Sequence, residues 1–136
     1  MAPRVLNAEQ VARWSRDLET GSVRWWLAQS GKSMVGFAGT GASRDPLEPG
    51  LGELDTIAVA PSAWRCGVGR RLMDRALDDL RESGYQEGIL WTLAHYEQGR
   101  TFYEATGWRA SGEVRDAGQQ IAFRRSLIIL SGGHID

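Results

Sequence analysis

The stretch Leu54-Asp55-Thr56-Ile57-Ala58-Val59-Ala60-Pro61, followed by Trp64-Arg65-Cys66-Gly67-Val68-Gly69-Arg70-Arg71-Leu72, joins a strand to a long helix through two closely spaced glycines. Its apolar positions Leu54, Ile57 and Val59 are spaced three and then two. Strict alternation therefore breaks once, and one extra residue, a β-bulge, is expected in a strand running from Glu53 to Ala60. Beyond Pro61, Val68, Leu72, Met73, Ala76, Leu77 and Leu80 fall on one helical face with charges opposite, up to Gly84, which predicts an amphipathic helix. The first N–H groups of a helix lack partners and carry partial positive charge, and glycines there let a phosphate approach without meeting a Cβ. Arg65 and Arg70 add full charges, so the arrangement suits a pyrophosphate. The third glycine of a dinucleotide fingerprint would fall at Leu72, and no Gly-Lys-Ser/Thr closes a phosphate loop. Neither NAD nor ATP is favoured.

Working outward, Asn7 with Gln10 reads as a helix-capping pair, and Val11, Trp14 and Leu18 recur at helical spacing until Gly21, which predicts a short amphipathic helix. Residues 23 to 29 and 34 to 40 are rich in aromatic and branched side chains around the turn material Ser30-Gly31-Lys32, a β-hairpin. Gly41 to Gly52 is a loop carrying two of the four prolines. On the other side, Glu87 to Leu93 reads as a strand, Gln98 to Thr106 as a short helix closed by Gly107, and Trp108 to Val114 with Gln120 to Leu127 as a last strand pair. The order predicts a single α+β domain: a mixed, mostly antiparallel central sheet with a bulged strand and helices on both faces. Trp25, Trp26, Trp91 and Trp108 are expected in the core first, and as an aromatic wall only second.

Composition narrows the chemistry. At 136 residues, 42% apolar, 24% charged and a formal net charge of -1, the chain suits one globular domain, and a general nucleic-acid binder is not expected. One cysteine, Cys66, and two histidines, His95 and His134, provide neither an internal disulfide nor zinc-site spacing, so no metal is expected. No run approaches the roughly 18 apolar residues of a membrane span, and the opening Met-Ala-Pro-Arg-Val-Leu has no signal-peptide core. The expected location is the cytoplasm, away from membranes. The apolar run Leu127-Ile128-Ile129-Leu130, before Ser131-Gly132-Gly133, opens a tail over 128 to 136 with three alternatives: it extends the last strand, covers an edge left by a short N-terminus, or, as favoured here, is buried between two subunits of a homodimer.

In these motifs the sequence resembles the Gcn5-related N-acetyltransferase (GNAT) family, whose acyl-CoA loop follows a Gln/Arg-x-x-Gly-x-Gly/Ala pattern after a bulged strand ending in Val-x-Pro. Val59-Ala60-Pro61 and Gly67-Val68-Gly69 match; Trp64 stands at the first loop position, with Arg65 one place later. Leu90-Trp91-Thr92-Leu93 and then Arg100-Thr101-Phe102-Tyr103-Glu104-Ala105-Thr106-Gly107-Trp108 are similar to the family's second signature, a strand leading to a helix that carries Phe-Tyr-Glu. The family often has Asn shortly before this helix, where Tyr96 stands here. The resemblance runs from about Trp14 to Leu127, and the family's usual first strand and helix are expected to be short or missing before Asn7.

The resemblance implies an acetyltransferase in which a primary amine, of a small molecule or a peptide, attacks the thioester of acetyl-CoA directly. The alternative is a non-catalytic acyl-CoA-binding or regulatory relative. It also implies cofactor contacts from the backbone of Ile57 and Val59 on the bulged strand, and from Arg65, Cys66, Gly67, Val68, Gly69 and Arg70 on the loop. An alkyl ammonium is scarcely neutral at pH 7, so a carboxylate acting through water would help. Glu53 is the first choice because the family frequently places a Glu there, and Asp55 is the reserve. Tyr103, in the matched Phe-Tyr-Glu, is the expected acid for the leaving thiolate, its ordinary pKa near 10 being close to that of an alkyl thiol. The plainer alternatives are solvated strand-end carboxylates and a packing tyrosine. Cys66 is expected to serve through its backbone and not as a nucleophile.

Overall fold

A computed structural model of the chain describes residues 11–16, 23–44 and 46–128. Strands β1 (Val11–Arg16), β2 (Val23–Ser30), β3 (Ser33–Ala42) and β4 (Leu51–Val59) form an antiparallel meander. A short 3-10 turn, Pro61–Ala63, leads to helix α1 (Val68–Glu82), which delivers the chain to β5 (Glu87–Leu93). Helix α2 (Glu97–Ala105) and strands β6 (Arg109–Arg115) and β7 (Gln120–Ser126) complete the described elements. The sheet order is β1-β2-β3-β4-β5-β7-β6. Every neighbouring pair is antiparallel except β4 and β5, which run parallel through only three register pairs, Leu51↔Glu87, Gly52↔Gly88 and Glu53↔Ile89.

The expected bulge is present. Thr40 pairs with Leu54 and Gly39 with Thr56, so Asp55 is the extra residue of β4. The inserted residue resets the alternation, which lets Ile57 and Val59 pack beside Leu54 on the same core although the spacing between them is odd. Leu72, Met73, Ala76, Leu77 and Leu80 of α1 are buried against Trp26, Ala28, Ala38 and Leu54, each leucine or methionine contributing about 1.5–3 kcal/mol of burial. At the parallel joint the sheet is floored by glycine. A Cβ on Gly52 would stand 2.7 Å from the Tyr85 ring, and one on Gly88 would stand 3.0 Å from that of Trp108. Bare backbone at this pair lets two aromatic rings lie directly on the sheet.

Two expectations are corrected, and a third, on the tail, falls mostly outside the described residues. The N-terminal run expected as a helix is β1 where it is described, with Val11 opposite Ala28 and Arg16 opposite Val23. Three apolar positions do not hold a short helix that is marginal on its own, whereas the open edge of β2 offers each residue a backbone partner. Helices on both faces were expected, yet among the described residues α1 and α2 feed the same core cluster. The opposite face carries Leu51, Ile89 and Ala122, with Trp91 against them. Finally, the apolar run at 127 is partly used internally: Leu127 is buried in the core, its N–H donates to the Gln86 carbonyl at 2.9 Å, and Arg81 Nε donates to its carbonyl at 2.9 Å. Ile128 is exposed, and Ile129, Leu130 and the rest of the tail lie outside the described residues. Trp26 and Trp108 are core residues as expected, while Trp25 packs edge-on against Phe37.

One buried charge locks α1 to the sheet. Asp79, 4% exposed, accepts from Thr40 Oγ1 at 2.7 Å and from Arg24 Nε at 3.1 Å and Nη2 at 3.1 Å. Asp79→Ala leaves a buried hydroxyl and a half-buried guanidinium without their acceptor, so unfolding in urea should show a loss of about 2–4 kcal/mol. Asp79→Asn keeps an oxygen acceptor and should lose less. An unchanged midpoint for the alanine variant would mean that the network carries no stability.

Candidate functional site

The loop between β4 and α1 is built around backbone geometry that few residues tolerate. Gly67 is the N-cap of α1 with φ 83°, no side chain caps the helix, and no acidic residue lies in its first turn. The first helical turn therefore presents N–H groups without protein partners, and nothing stands within 4 Å of the space a Cβ on Gly67 would occupy. Arg65, also at positive φ (65°), and Arg70 flank this opening. The donor set fits a phosphate: neutral amide donors at the positive end of a 15-residue helix, two guanidinium groups, and no competing carboxylate. Trp64, which no sequence argument assigned a task, donates its indole Nε1–H to the Val59 carbonyl at 2.8 Å. This bond ties the loop back to the end of β4.

Beyond Glu53↔Ile89, β4 and β5 part. On the helix side lies a cleft of about 490 Å³, bounded by Ile57 and Val59 of β4, by Trp64, Arg65 and Gly67 of the loop, by Arg70 in the first turn of α1, and by Tyr96, Gly99, Phe102 and Tyr103 of α2 and its approach. A second cleft of about 230 Å³ is lined by Asp55 and Thr56 of β4 and by Trp91, Thr92 and Leu93 of β5. Ile57, Tyr96 and Tyr103 line both. Among the expected cofactor residues, Ile57, Val59, Arg65, Gly67, Gly69 and Arg70 thus share one cleft. Cys66 and Val68 do not line it: Cys66 is exposed with its thiol toward the Trp64 carbonyl, and Val68 packs on the core.

Tyr103 sits at the junction, 8% exposed, with its ring 5.8 Å from those of Phe102 and Phe123. Burial pushes its phenol above the ordinary value of 10, the neighbouring Tyr96 adds to the rise, and a hydrogen bond with Thr92 opposes it. The hydroxyl is therefore a proton carrier at neutral pH. The two carboxylates are placed differently. Glu53 is 6% exposed and lines neither cleft; its Oε1 accepts from the Arg44 N–H at 3.2 Å, and its Oε2 lies 3.5 Å from the Arg44 guanidinium. Asp55, at the bulge, lines the smaller cleft and also pairs with Arg44. His95 is exposed and lines neither cleft. Among the described residues no group of His, Cys, Asp and Glu could hold a metal ion, and no helix is long and apolar enough to cross a membrane.

Comparison with known proteins places this geometry. The chain is 29% identical over 101 residues to the Mycobacterium tuberculosis protein named "Probable N-acetyltransferase Rv2775", covering 74% of this chain and 55% of that one. It is 31% identical over 107 residues to mycothiol acetyltransferase of Beutenbergia cavernae, covering 75% and 36%. The chain thus spans about half, or about a third, of the length of these relatives. Among solved structures, a protein of Desulfovibrio desulfuricans assigned to the GNAT acetyltransferases superimposes with a TM-score of 0.71 at 27% identity, over 79% of this chain and 71% of that one. The PaiA N-acetyltransferase of Thermoplasma acidophilum, solved in complex with coenzyme A, shares the fold with a TM-score of 0.67 at 18% identity, over 82% and 65%. The sequence profile of the Acetyltransferase (GNAT) family matches residues 3–108, well over half of the chain. By fold, by loop and by this match, the chain belongs to the GNAT acetyltransferase family.

Proposed function

We propose that this chain transfers an acetyl group from acetyl-CoA to a primary amine. The observation that carries the reading is the meeting of two clefts at Tyr103, the larger of which ends on the glycine-headed, uncapped start of α1. In this reading the first turn of α1, Arg65 and Arg70 hold the pyrophosphate, and the open edge of β4 at Ile57 and Val59 aligns the pantetheine arm. The amine enters from the smaller cleft. Its nitrogen bonds to the thioester carbonyl carbon, the carbon–sulfur bond breaks, the departing sulfur receives the Tyr103 proton, and the proton the nitrogen sheds as the amide forms restores the phenol.

An alkyl ammonium with an ordinary pKa near 10.4 is roughly 0.04% neutral at pH 7, so its proton needs an acceptor. Asp55 is the carboxylate on the acceptor side of the junction, and it serves through water. Glu53 is a positioning residue here: its two contacts hold Arg44, and Arg44 holds Asp55. Because burial raises the Tyr103 pKa, the proton is present throughout the neutral range. The acid form is the active one, so any alkaline decline caused by Tyr103 sets in above pH 10.

Two variants test the assignment. Gly67→Asp places a side chain and a negative charge where phosphate is to bind; calorimetry should show acetyl-CoA affinity lost in a folded protein, and retained affinity would remove the loop from the site. Tyr103→Phe keeps the ring and removes the proton. Turnover in a thiol-release assay over an amine panel should fall roughly 10- to 1000-fold with acetyl-CoA affinity preserved, and the decline above pH 10 should vanish. Wild-type turnover in Tyr103→Phe would make Tyr103 a packing residue. Acetyl-CoA binding with no turnover of any amine would favour the non-catalytic, regulatory alternative.

A further inference from the structure

Of the three residues that line both clefts, two are fixed and one is not. Ile57 is held in β4, paired with Ala38 and packed on the core. Tyr103 is wedged between Phe102 and Phe123. Tyr96 is 47% exposed. Its backbone is anchored, its N–H donating to the Leu93 carbonyl at 3.1 Å and its carbonyl accepting from Arg100 N–H at 3.0 Å. The Cδ2–Cε2 side of its ring lies on the first turn of α2 at Gly99, where a Cβ would stand 2.5 Å from Cδ2. Gly99 is itself buried beneath the ring. The glycine is thus a seat, and of the three residues the ring on it is the most exposed wall of the passage between the clefts.

We infer that Tyr96 sets the length of the acyl chain that the site accepts. The inference rests on the acyl-CoA reading above, since the thioester then lies at the passage and its acyl carbons point toward the smaller cleft. An acetyl group ends within the passage. A longer chain either lifts the Tyr96 ring off Gly99, losing that contact, or runs on into the space that the amine must occupy. Ile57 and Tyr103 cannot yield, so selectivity falls on the most exposed of the three. The phenol of Tyr96 also raises the Tyr103 pKa. A size effect must therefore be separated from an electrostatic one, and Phe at position 96 makes that separation.

Calorimetric titration of the wild type, Tyr96→Ala and Tyr96→Phe with CoA, acetyl-CoA, butyryl-CoA and hexanoyl-CoA tests the assignment without needing to know the amine. The wild type should bind hexanoyl-CoA roughly 10- to 100-fold more weakly than acetyl-CoA, Tyr96→Ala should bring the two within about threefold, and Tyr96→Phe should behave as the wild type. Equal affinities for both chain lengths in the wild type, or an unchanged ratio in Tyr96→Ala, would overturn the assignment. Failure of every form to bind CoA and acetyl-CoA alike would overturn it by removing the underlying reading, and is told apart by the CoA titration. Tyr96 is half exposed and outside the core, and circular dichroism checks that each variant is folded.

Discussion

The parallel ladder between β4 and β5 stops after three residue pairs, and the site exists because it stops. Up to Glu53↔Ile89 the two strands are held together; past it β4 answers only to β3 and β5 only to β7. The bulge at Asp55 falls two residues after the last pair, where an extra residue adds twist and turns the strand away from its neighbour. Tyr103 from α2 sits by the resulting gap with Phe123 of β7 beside it. The closed end of the joint is secured in three ways: by the glycine pair under Tyr85 and Trp108, by the Gly50 carbonyl accepting from both Gln86 and Glu87, and by Arg124 of β7. Arg124 pairs with Glu48 ahead of β4 at 2.9 Å, with Glu87 of β5 at 3.1 Å and with Glu113 of β6 at 2.8 Å.

Those ion pairs differ in what they contribute. Arg124 retains 19% of its side-chain exposure and its carboxylates 34% to 46%, so each pair is worth at most about 1 kcal/mol and weakens with salt. Asp79 lies almost out of solvent with two partners from different strands, and its loss leaves the fully buried Thr40 hydroxyl without its acceptor. The first network sets alignment, the second sets stability. At the site the balance is different again, because one guanidinium, that of Arg44, is shared by two carboxylates of β4.

What was legible in the sequence was local. The odd spacing of Leu54, Ile57 and Val59 located the bulge, and the helical face from Val68 to Leu80 located α1. The pair Gly67 and Gly69 located the loop, because a left-handed N-cap is a property of one residue's backbone. What was not legible depended on partners distant in the chain. Val11 to Arg16 became a strand because the edge of β2 was there to pair with, which no window of six residues reveals. Glu53 looked like a base at a strand end; the contact with Arg44, nine residues earlier across a loop, takes its carboxylate out of both clefts. Trp64 seemed only a departure from a motif, and its bond to Val59 needs the loop to fold back before it can form. Tyr96 was noted for the same reason, and its seat on Gly99, three residues on, becomes visible only in the folded chain.

The short joint also has a consequence for how the chain reaches its native state. Strands β1 to β4 build one half of the sheet from successive hairpin partners, whereas the other half needs β5 to pair with β7 across α2 and β6, as in Glu87↔Ser126. Joining the halves requires closing the span from Leu51 to Glu87 around α1, for which the return is three register pairs, the bonds to the Gly50 carbonyl and the Arg124–Glu48 ion pair. Docking of the halves is therefore expected late, after α1 has laid its apolar face on β2 to β4. Neither cleft has two walls before that event. A partly folded chain can display the Gly67 loop without either cleft, so on the proposed function its activity would come only with that docking step.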